Sequence, residues 1–324
     1  MTQKITVVMY HYIRELQYTK YPAIKALLSS EFKDQLKYLK QHFSFITIDD
    51  CLNAIYGDHE IPNNSCLLTF DDGYIDHFIT VFPLLNEMKI QGCFFPPAKA
   101  ILTSTVLDVN KIHFILASMD HKIPQLIDDI YYLLNEHRDT FNLQSNDYYY
   151  SKLAQKSRFD TADVIFIKRL LQVELNETLR NTIVDYLFQK YVSTDETSFS
   201  KELYMDTSQI RYMAENGMYI GSHGYEHYWL NQVPKKTQES EINQSLEFLK
   251  KVNAPTKNWA MCYPYGGYNE SLIDVIKSKG CALAFTTHVD KATLSKQNAF
   301  TLQRFDTNDF PPKKKNLRPS GLKK

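Results

Sequence analysis

The sequence predicts a parallel α/β fold, and three observations support this. Short, dense apolar runs, such as Ile5 to Tyr10, Cys66 to Phe70, Cys93 to Phe95 and Cys281 to Thr287, read as strands buried on both faces. Segments of helical period alternate with them, as crossover connections of a parallel sheet require. Polar residues suited to chemistry stand where several runs end, the place where parallel folds gather their sites.

The chain is 324 residues long, enough to bury a sizeable core in one large or two ordinary domains. Lys plus Arg and Asp plus Glu number 37 each, so no bulk positive charge is available to grip nucleic acid. The 22 Tyr and 19 Phe read mainly as core, with any exposed rings suited to stacking on sugars. Five widely spaced cysteines (Cys51, Cys66, Cys93, Cys262, Cys281) form no CxxC and read as reduced thiols. The run Ile5 to Met9 is too short for a signal peptide, and no run reaches the length of a membrane span. A cytoplasmic protein with no membrane span is therefore expected, with its oligomeric state open.

In chain order, Ile5 to Tyr10 is the first strand and ends at His11, either a substrate contact or a structural histidine. Ser30 to Gln41 carries Phe32, Leu36 and Leu39 at helical spacing, with Ser30 as its expected N-cap. Phe45 to Ile48 is the next strand, and Asp49 and Asp50 read as capping residues of a short helix. Cys66 to Phe70 follows, then a helix from Tyr74 to Met88, then Cys93 to Phe95, stopped by Pro96-Pro97. Between 103 and 203 Pro and Gly nearly vanish, and segments such as 112–117, 127–134, 164–175 and 179–191 have helical spacing. This reads as an α-helical insertion on the loop side of the fold, shaping substrate access or serving stability and assembly. Ser208 to Asn216 is a helix stopped by Gly217. Met218 to Ser222 is a strand, Thr237 to Val252 and Asn269 to Lys279 are helices, and Phe300 to Arg304 is the last strand. The expected division is a barrel over 1–102 and 204–310, the insertion over 103–203, and a basic, disordered tail over 311–324.

Three stretches carry chemistry. Thr69-Phe70-Asp71-Asp72-Gly73 ends a buried run in two carboxylates and a turn-forming glycine. Neighbouring strand residues face opposite ways, so one aspartate can bind a cation while the other handles a proton. A solvated turn with Asp as an N-cap is the plain alternative. Gly221-Ser222-His223-Gly224-Tyr225-Glu226-His227 sets two histidines four residues apart after a strand, a spacing at which both reach one metal. Tyr263-Pro264-Tyr265-Gly266-Gly267 breaks a third run and could present a backbone N–H toward a site.

Together these motifs resemble the polysaccharide deacetylase family, the NodB-homology carbohydrate esterases. TFDDG is Thr69 to Gly73; the HS/TxxH motif corresponds to His223 to His227; the RxPYG-type motif is matched by Pro264-Tyr265-Gly266. Met9-Tyr10-His11 and the stretch Leu302 to Asp309 resemble one subgroup. The resemblance implies an incomplete (β/α)7-type barrel with a large α-helical insertion. It implies that Asp72, His223 and His227 bind Zn²⁺ or another divalent transition metal, that Asp71 is the general base, and that the Tyr265 N–H helps hold the oxyanion. His11, Pro264, Tyr265 and His288 are the candidate substrate contacts. The motif's arginine, which orients the base, is Cys262 here, and Arg304 is the expected replacement. No late LxH motif supplies a general acid, for which His288 is a substitute, and the DSxDW-type stretch is absent. The expected activity is metal-dependent removal of an acetyl group from an N-acetylated sugar or glycan. The alternative is a metal-containing glycan-binding protein without appreciable catalysis.

Overall fold

The computed structural model describes residues 3–57 and 59–313. The expected basic tail lies outside the described residues apart from Pro311, Pro312 and Lys313. The chain forms two compact units, one of Met1–Glu15, Ala26–Thr105 and Ser200–Lys324, the other of Leu16–Lys25 and Val106–Phe199.

The first unit starts with β1 (Gln3–Tyr10), α1 (Ser29–His42), β2 (Ser44–Phe45), α2 (Ile48–Tyr56), β3 (Ser65–Asp71), α3 (Phe82–Met88), β4 (Gly92–Phe95) and α4 (Ala98–Thr103). The second unit holds α5 (Asp108–Ser118), α6 (Ile123–Phe141), α7 (Asn146–Leu153), α8 (Ala162–Arg169) and α9 (Glu177–Tyr191). After α10 (Glu196–Leu203) come α11 (Thr207–Glu215), β5 (Tyr219–Ile220), α12 (Lys235–Lys251) and β6 (Trp259–Cys262). The chain continues through α13 (Glu270–Ser278), β7 (Cys281–Phe285), β8 (Ala292–Leu294) and β9 (Phe305–Asp306).

Strands β5, β4, β3 and β1 lie side by side and parallel, and every residue of β3 is buried. The apolar run is dense because helices cover one face of the sheet and the interior occupies the other. Ser222 bridges to Met261 and so links β5 to β6, which pairs with β7. Leu302 bridges to Phe285 of β7, and three residues later Phe305 pairs with Val8 of β1. The barrel closes through this seam. Strand alternation sorts the core: Val8, Tyr10, Leu68, Phe70 and Phe94 pack against the helices, while Val7, Leu67, Cys93, Phe95, Ala260 and Cys262 form a second cluster. Continuing that second parity brings Met9, His11, Thr69 and Asp71 to the inner side at the strand ends.

Several expected elements differ. Ser30 does not cap α1; the helix starts at Ser29, and the Glu31 carboxylate accepts the Leu28 N–H at 3.0 Å. The segment after Tyr74 is a turn of π-helix, His77–Val81, before α3. Phe300 to Arg304 is not a strand, because only Leu302 finds a partner there and pairing resumes at Phe305. Strand β8 was not anticipated and runs antiparallel to β1 at the end away from the motifs.

The second unit is a helical cluster around Ile112, Phe114, Leu126, Ile130, Phe166, Ile183 and Phe188. The buried Lys111 is neutralised by Asp185 at 2.6 Å and Glu196 at 3.1 Å. The segment 16–25 belongs to it: Lys20 Nζ and Tyr21 Oη each donate to the Val192 carbonyl at 3.1 Å, and Lys25 pairs with Asp160. Among the described residues no helix is long and apolar enough to cross a membrane.

Candidate metal and catalytic site

The two aspartates leave β3 in different directions. Asp71 ends the strand on its inner side. Asp72 follows at φ 73°, in the left-handed region, and Gly73 at φ 67°. A Cβ on Gly73 would stand 2.7 Å from Pro96 Cβ, so glycine is required for this turn.

Asp71 is fully engaged. Arg304 donates from Nη1 to Oδ1 at 2.9 Å and from Nη2 to Oδ2 at 2.7 Å, a bidentate pair. The guanidinium is itself held by Thr69 Oγ1 and Cys262 Sγ, each at 3.1 Å, and by the Thr286 carbonyl at 2.9 Å. Both partners are buried, Arg304 entirely. Burial alone would raise the Asp71 carboxyl, but the Arg304 charge and hydrogen bonds, with His223, hold it down at about 2.

Asp72 is placed otherwise. Its Oδ2 accepts the Tyr74 hydroxyl at 2.5 Å, and its Oδ1 is buried and accepts no hydrogen bond among the described residues. Oδ1 stands 3.4 Å from Nε2 of His223 and 3.4 Å from Nε2 of His227, and those two nitrogens are 3.1 Å apart. Ligand atoms about 2.0–2.1 Å from a tetrahedral zinc lie roughly 3.3–3.4 Å from one another. The triangle thus has the dimensions of three corners of such a shell, and the donor set fits the metal. These three are the group among the described residues with metal-ligand character. His223 Nδ1–H donates to the Cys262 carbonyl at 2.7 Å, which fixes the tautomer and turns Nε2 toward Asp72. Burial lowers both imidazoles, but Asp72 and Asp71 outweigh it at His223, whose pKa rises; at His227 burial prevails and the pKa falls.

His227 and Tyr265 also sit at positive φ, 62° and 57°. Such conformations cost of order 1–3 kcal/mol each and persist where the surroundings impose them. Tyr265 is gripped on both sides: its ring lies 4.7 Å from that of His227 and stacks at 4.7 Å on Trp229. Pro264 opens this turn and is buried.

The structure therefore gathers Asp71, Asp72, His223, His227 and Arg304 at one end of the barrel, with Tyr265 against His227. His11 follows β1 and is half-buried, and its backbone carbonyl lies 2.9 Å from His77 Nε2. The His288 side chain is exposed, and its backbone carbonyl accepts the Arg304 N–H at 3.0 Å. Sequence reasoning missed Tyr74, Trp229 and Glu241. Glu241 Oε2 accepts the N–H groups of Tyr225 and Glu226, both at 2.9 Å. Its signal was present: Gln238, Glu241 and Ser245 interrupt the buried stripe of α12 at helical spacing.

A family model described as polysaccharide deacetylase matches residues 177–284. Over that stretch, about a third of its length, the chain is similar to the polysaccharide deacetylases. The matched stretch holds His223, His227, Pro264 and Tyr265, whereas Asp71 and Asp72 precede it. Among solved structures, the Streptococcus pyogenes deacetylase PplD in complex with acetate is similar with a TM-score of 0.59 at 16% identity, over 97% of each chain. IcaB from Ammonifex degensii gives 0.53 at 17% identity, over 95% of this chain and 92% of that one. A de-N-acetylase from Aggregatibacter actinomycetemcomitans gives 0.52 at 13%, over 94% of each. At these identities the likeness is one of fold, and the barrel-like α/β architecture is shared. No curated protein matches the chain in sequence.

Proposed function

We propose that the protein is a metal-dependent hydrolase that removes the acetyl group from an N-acetylated sugar or glycan. The observation that carries this is the Asp72–His223–His227 triangle beside a carboxylate held by a guanidinium. The family implies hydrolysis of a non-peptide carbon–nitrogen bond and an acetylated glycan as substrate.

In this reading Asp72, His223 and His227 would hold the cation, and one carboxylate with two imidazoles suits zinc. When bound, it would supply Lewis acidity toward the acetyl carbonyl and lower the pKa of a water at the site. Asp71, ionised by Arg304 and aimed by its bidentate grip, takes the proton from the attacking water as the carbon–oxygen bond forms. The Tyr265 N–H donates to the carbonyl oxygen as charge develops there. The amine must gain a proton before the carbon–nitrogen bond breaks. We assign that step to His11, which follows β1 and which strand parity directs to the inner side. His288, exposed, is left as a substrate contact, together with Pro264. Acetate and a free amine are the products. The described cysteines are all free thiols, which supports a reducing, cytoplasmic setting as part of the same proposal.

The test is acetate release from N-acetylhexosamine oligomers. The zinc-loaded protein should release acetate, chelation should abolish release, and zinc should restore it. Full activity in protein stripped of metal sinks the reading. A loaded protein that binds the oligomers and releases nothing returns the argument to a non-catalytic glycan binder.

A further inference from the structure

Glu241 is a carboxylate in surroundings that disfavour one. It is 2% exposed, on the buried face of α12 beside Ile242 and Ser245. Its Oε2 accepts two N–H groups, those of Tyr225 and Glu226, from the loop between the two histidines. On the other side of that loop, the first N–H groups of α4 donate to it: Ala98 to the Gly224 carbonyl at 3.2 Å and Lys99 to the Tyr225 carbonyl at 3.0 Å. Lys99 Nζ also pairs with the Glu226 carboxylate. The backbone between His223 and His227 is thus gripped from both sides.

The loop needs outside support for two reasons visible in its own residues. Gly224, at φ 75°, has no side chain where the HS/TxxH motif carries a hydroxyl, and a Cβ there would stand 3.3 Å from Glu241 Oε2. His227 at φ 62° is in a conformation that persists only when its neighbours enforce it. Burial pushes the Glu241 carboxyl up to about 7; the two N–H groups and Lys99 offset part of that rise, and the Glu226 charge adds to it. A fold does not keep so costly a group where an apolar residue would pack as well.

We propose that Glu241 is a positioning residue for the metal: its Oε2 fixes the 223–227 loop so that both imidazoles aim at one point. The inference rests on the metal-dependent reading and adds to it a residue that touches neither cation nor substrate. Partners one step removed from metal ligands typically change metal affinity by about 10–100-fold when lost. A brace that merely tied α12 to the barrel would alter unfolding and leave that affinity alone.

The experiment uses the full chain with Glu241→Ala, Glu241→Gln and Glu241→Asp. Zinc affinity is read by competition with a chromophoric chelator, and ligand geometry from the visible bands of the cobalt(II)-loaded proteins. Glu241→Ala should bind zinc about 10–100-fold more weakly, with altered cobalt bands. Glu241→Gln should restore nearly wild-type values, since its amide oxygen can accept the same two N–H groups. Glu241→Asp, which withdraws the oxygen by one methylene, should fall between them and decides the matter if the alanine protein does not fold. Wild-type affinity and bands in Glu241→Ala, or in Glu241→Asp in its place, overturn the proposal, as does a glutamine protein as weak as the alanine one. A wild-type chain that takes up neither zinc nor cobalt overturns the metal reading itself, an outcome distinct from all of these.

Discussion

Asp71 and Asp72 are adjacent in sequence and equally buried, yet one is saturated with donors and the other is not. Both oxygens of Asp71 are met by Arg304, at 2.9 and 2.7 Å, and the guanidinium is held in turn by three further groups. Asp72 has one oxygen on Tyr74 and the other facing two imidazole nitrogens, with no hydrogen bond of its own. The left-handed turn at Asp72 makes the difference, since it swings the second carboxylate out of the strand's alternation. A carboxylate completed by the protein is ready to manage a proton. A carboxylate left with an unpaired buried oxygen beside two imidazoles is ready for a cation.

The largest expected effects test that contrast directly. Asp71→Asn should keep its metal by elemental analysis and lose about 10²–10⁴-fold in kcat, the usual scale for a general base. Asp72→Asn should lose metal first, and excess zinc should recover part of its activity and none of that of Asp71→Asn. Metal loss in the Asp71 protein with retention in the Asp72 protein would reverse the assignment.

Arg304 comes next. Arg304→Ala leaves the buried Asp71 carboxyl without its partner, which should cost about 3–5 kcal/mol in chemical denaturation. Arg304→Lys keeps the charge but not the fork. A base displaced by even an ångström should lower kcat about 10²-fold with zinc still bound. Unchanged kinetics in the lysine protein would remove orientation of the base from the role of Arg304.

Tyr74→Phe deletes the hydroxyl on Asp72 Oδ2 and frees that carboxylate to rotate. Zinc affinity should fall about tenfold in a chelator competition, at the low end for such partners, with Asp71 unaffected. An undiminished affinity would mean that the backbone turn alone orients Asp72.

The smallest effect concerns pH. With its carboxyl at about 2 in the folded chain, below the usual 3.8, Asp71 contributes stability that is present above the higher value and lost as pH falls through the lower. In metal-free protein the melting-temperature difference between wild type and Asp71→Asn should therefore hold steady from about pH 5 to 8 and narrow only below about pH 4. Narrowing between pH 7 and 5 would show that Arg304 does not hold Asp71 ionised.

Local signals were legible and distant ones were not. The strand-ending carboxylates and the histidine pair are each written within seven consecutive residues, so spacing alone exposed them. Arg304 lies 233 residues from Asp71, and only the loss of the motif's arginine at Cys262 pointed to it. The strand expected over 300–304 failed because Arg304 spends its side chain on Asp71 and its N–H on His288 while ladder pairing begins at Phe305. The segment 16–25 carries no pattern of its own; its ties to Asp160 and Val192 are contacts that periodicity cannot register. Glu241 is written in α12 only as a break, with Gln238 and Ser245, in the stripe that holds Ile242 and Leu249; the break marks the position but not the N–H groups that the acid meets.

The seam at Leu302 to Asp306 also imposes an order of events on synthesis. All three proposed metal ligands, the turn at Tyr265 and the base have been made by the time residue 267 is joined. Arg304 has not, and neither has the Phe305–Val8 pairing that closes the barrel. Until they fold into place, Asp71 lacks its cationic partner. Burial without Arg304 would favour the protonated acid, which cannot accept a proton from water. The base is complete only when the closing segment has folded into place.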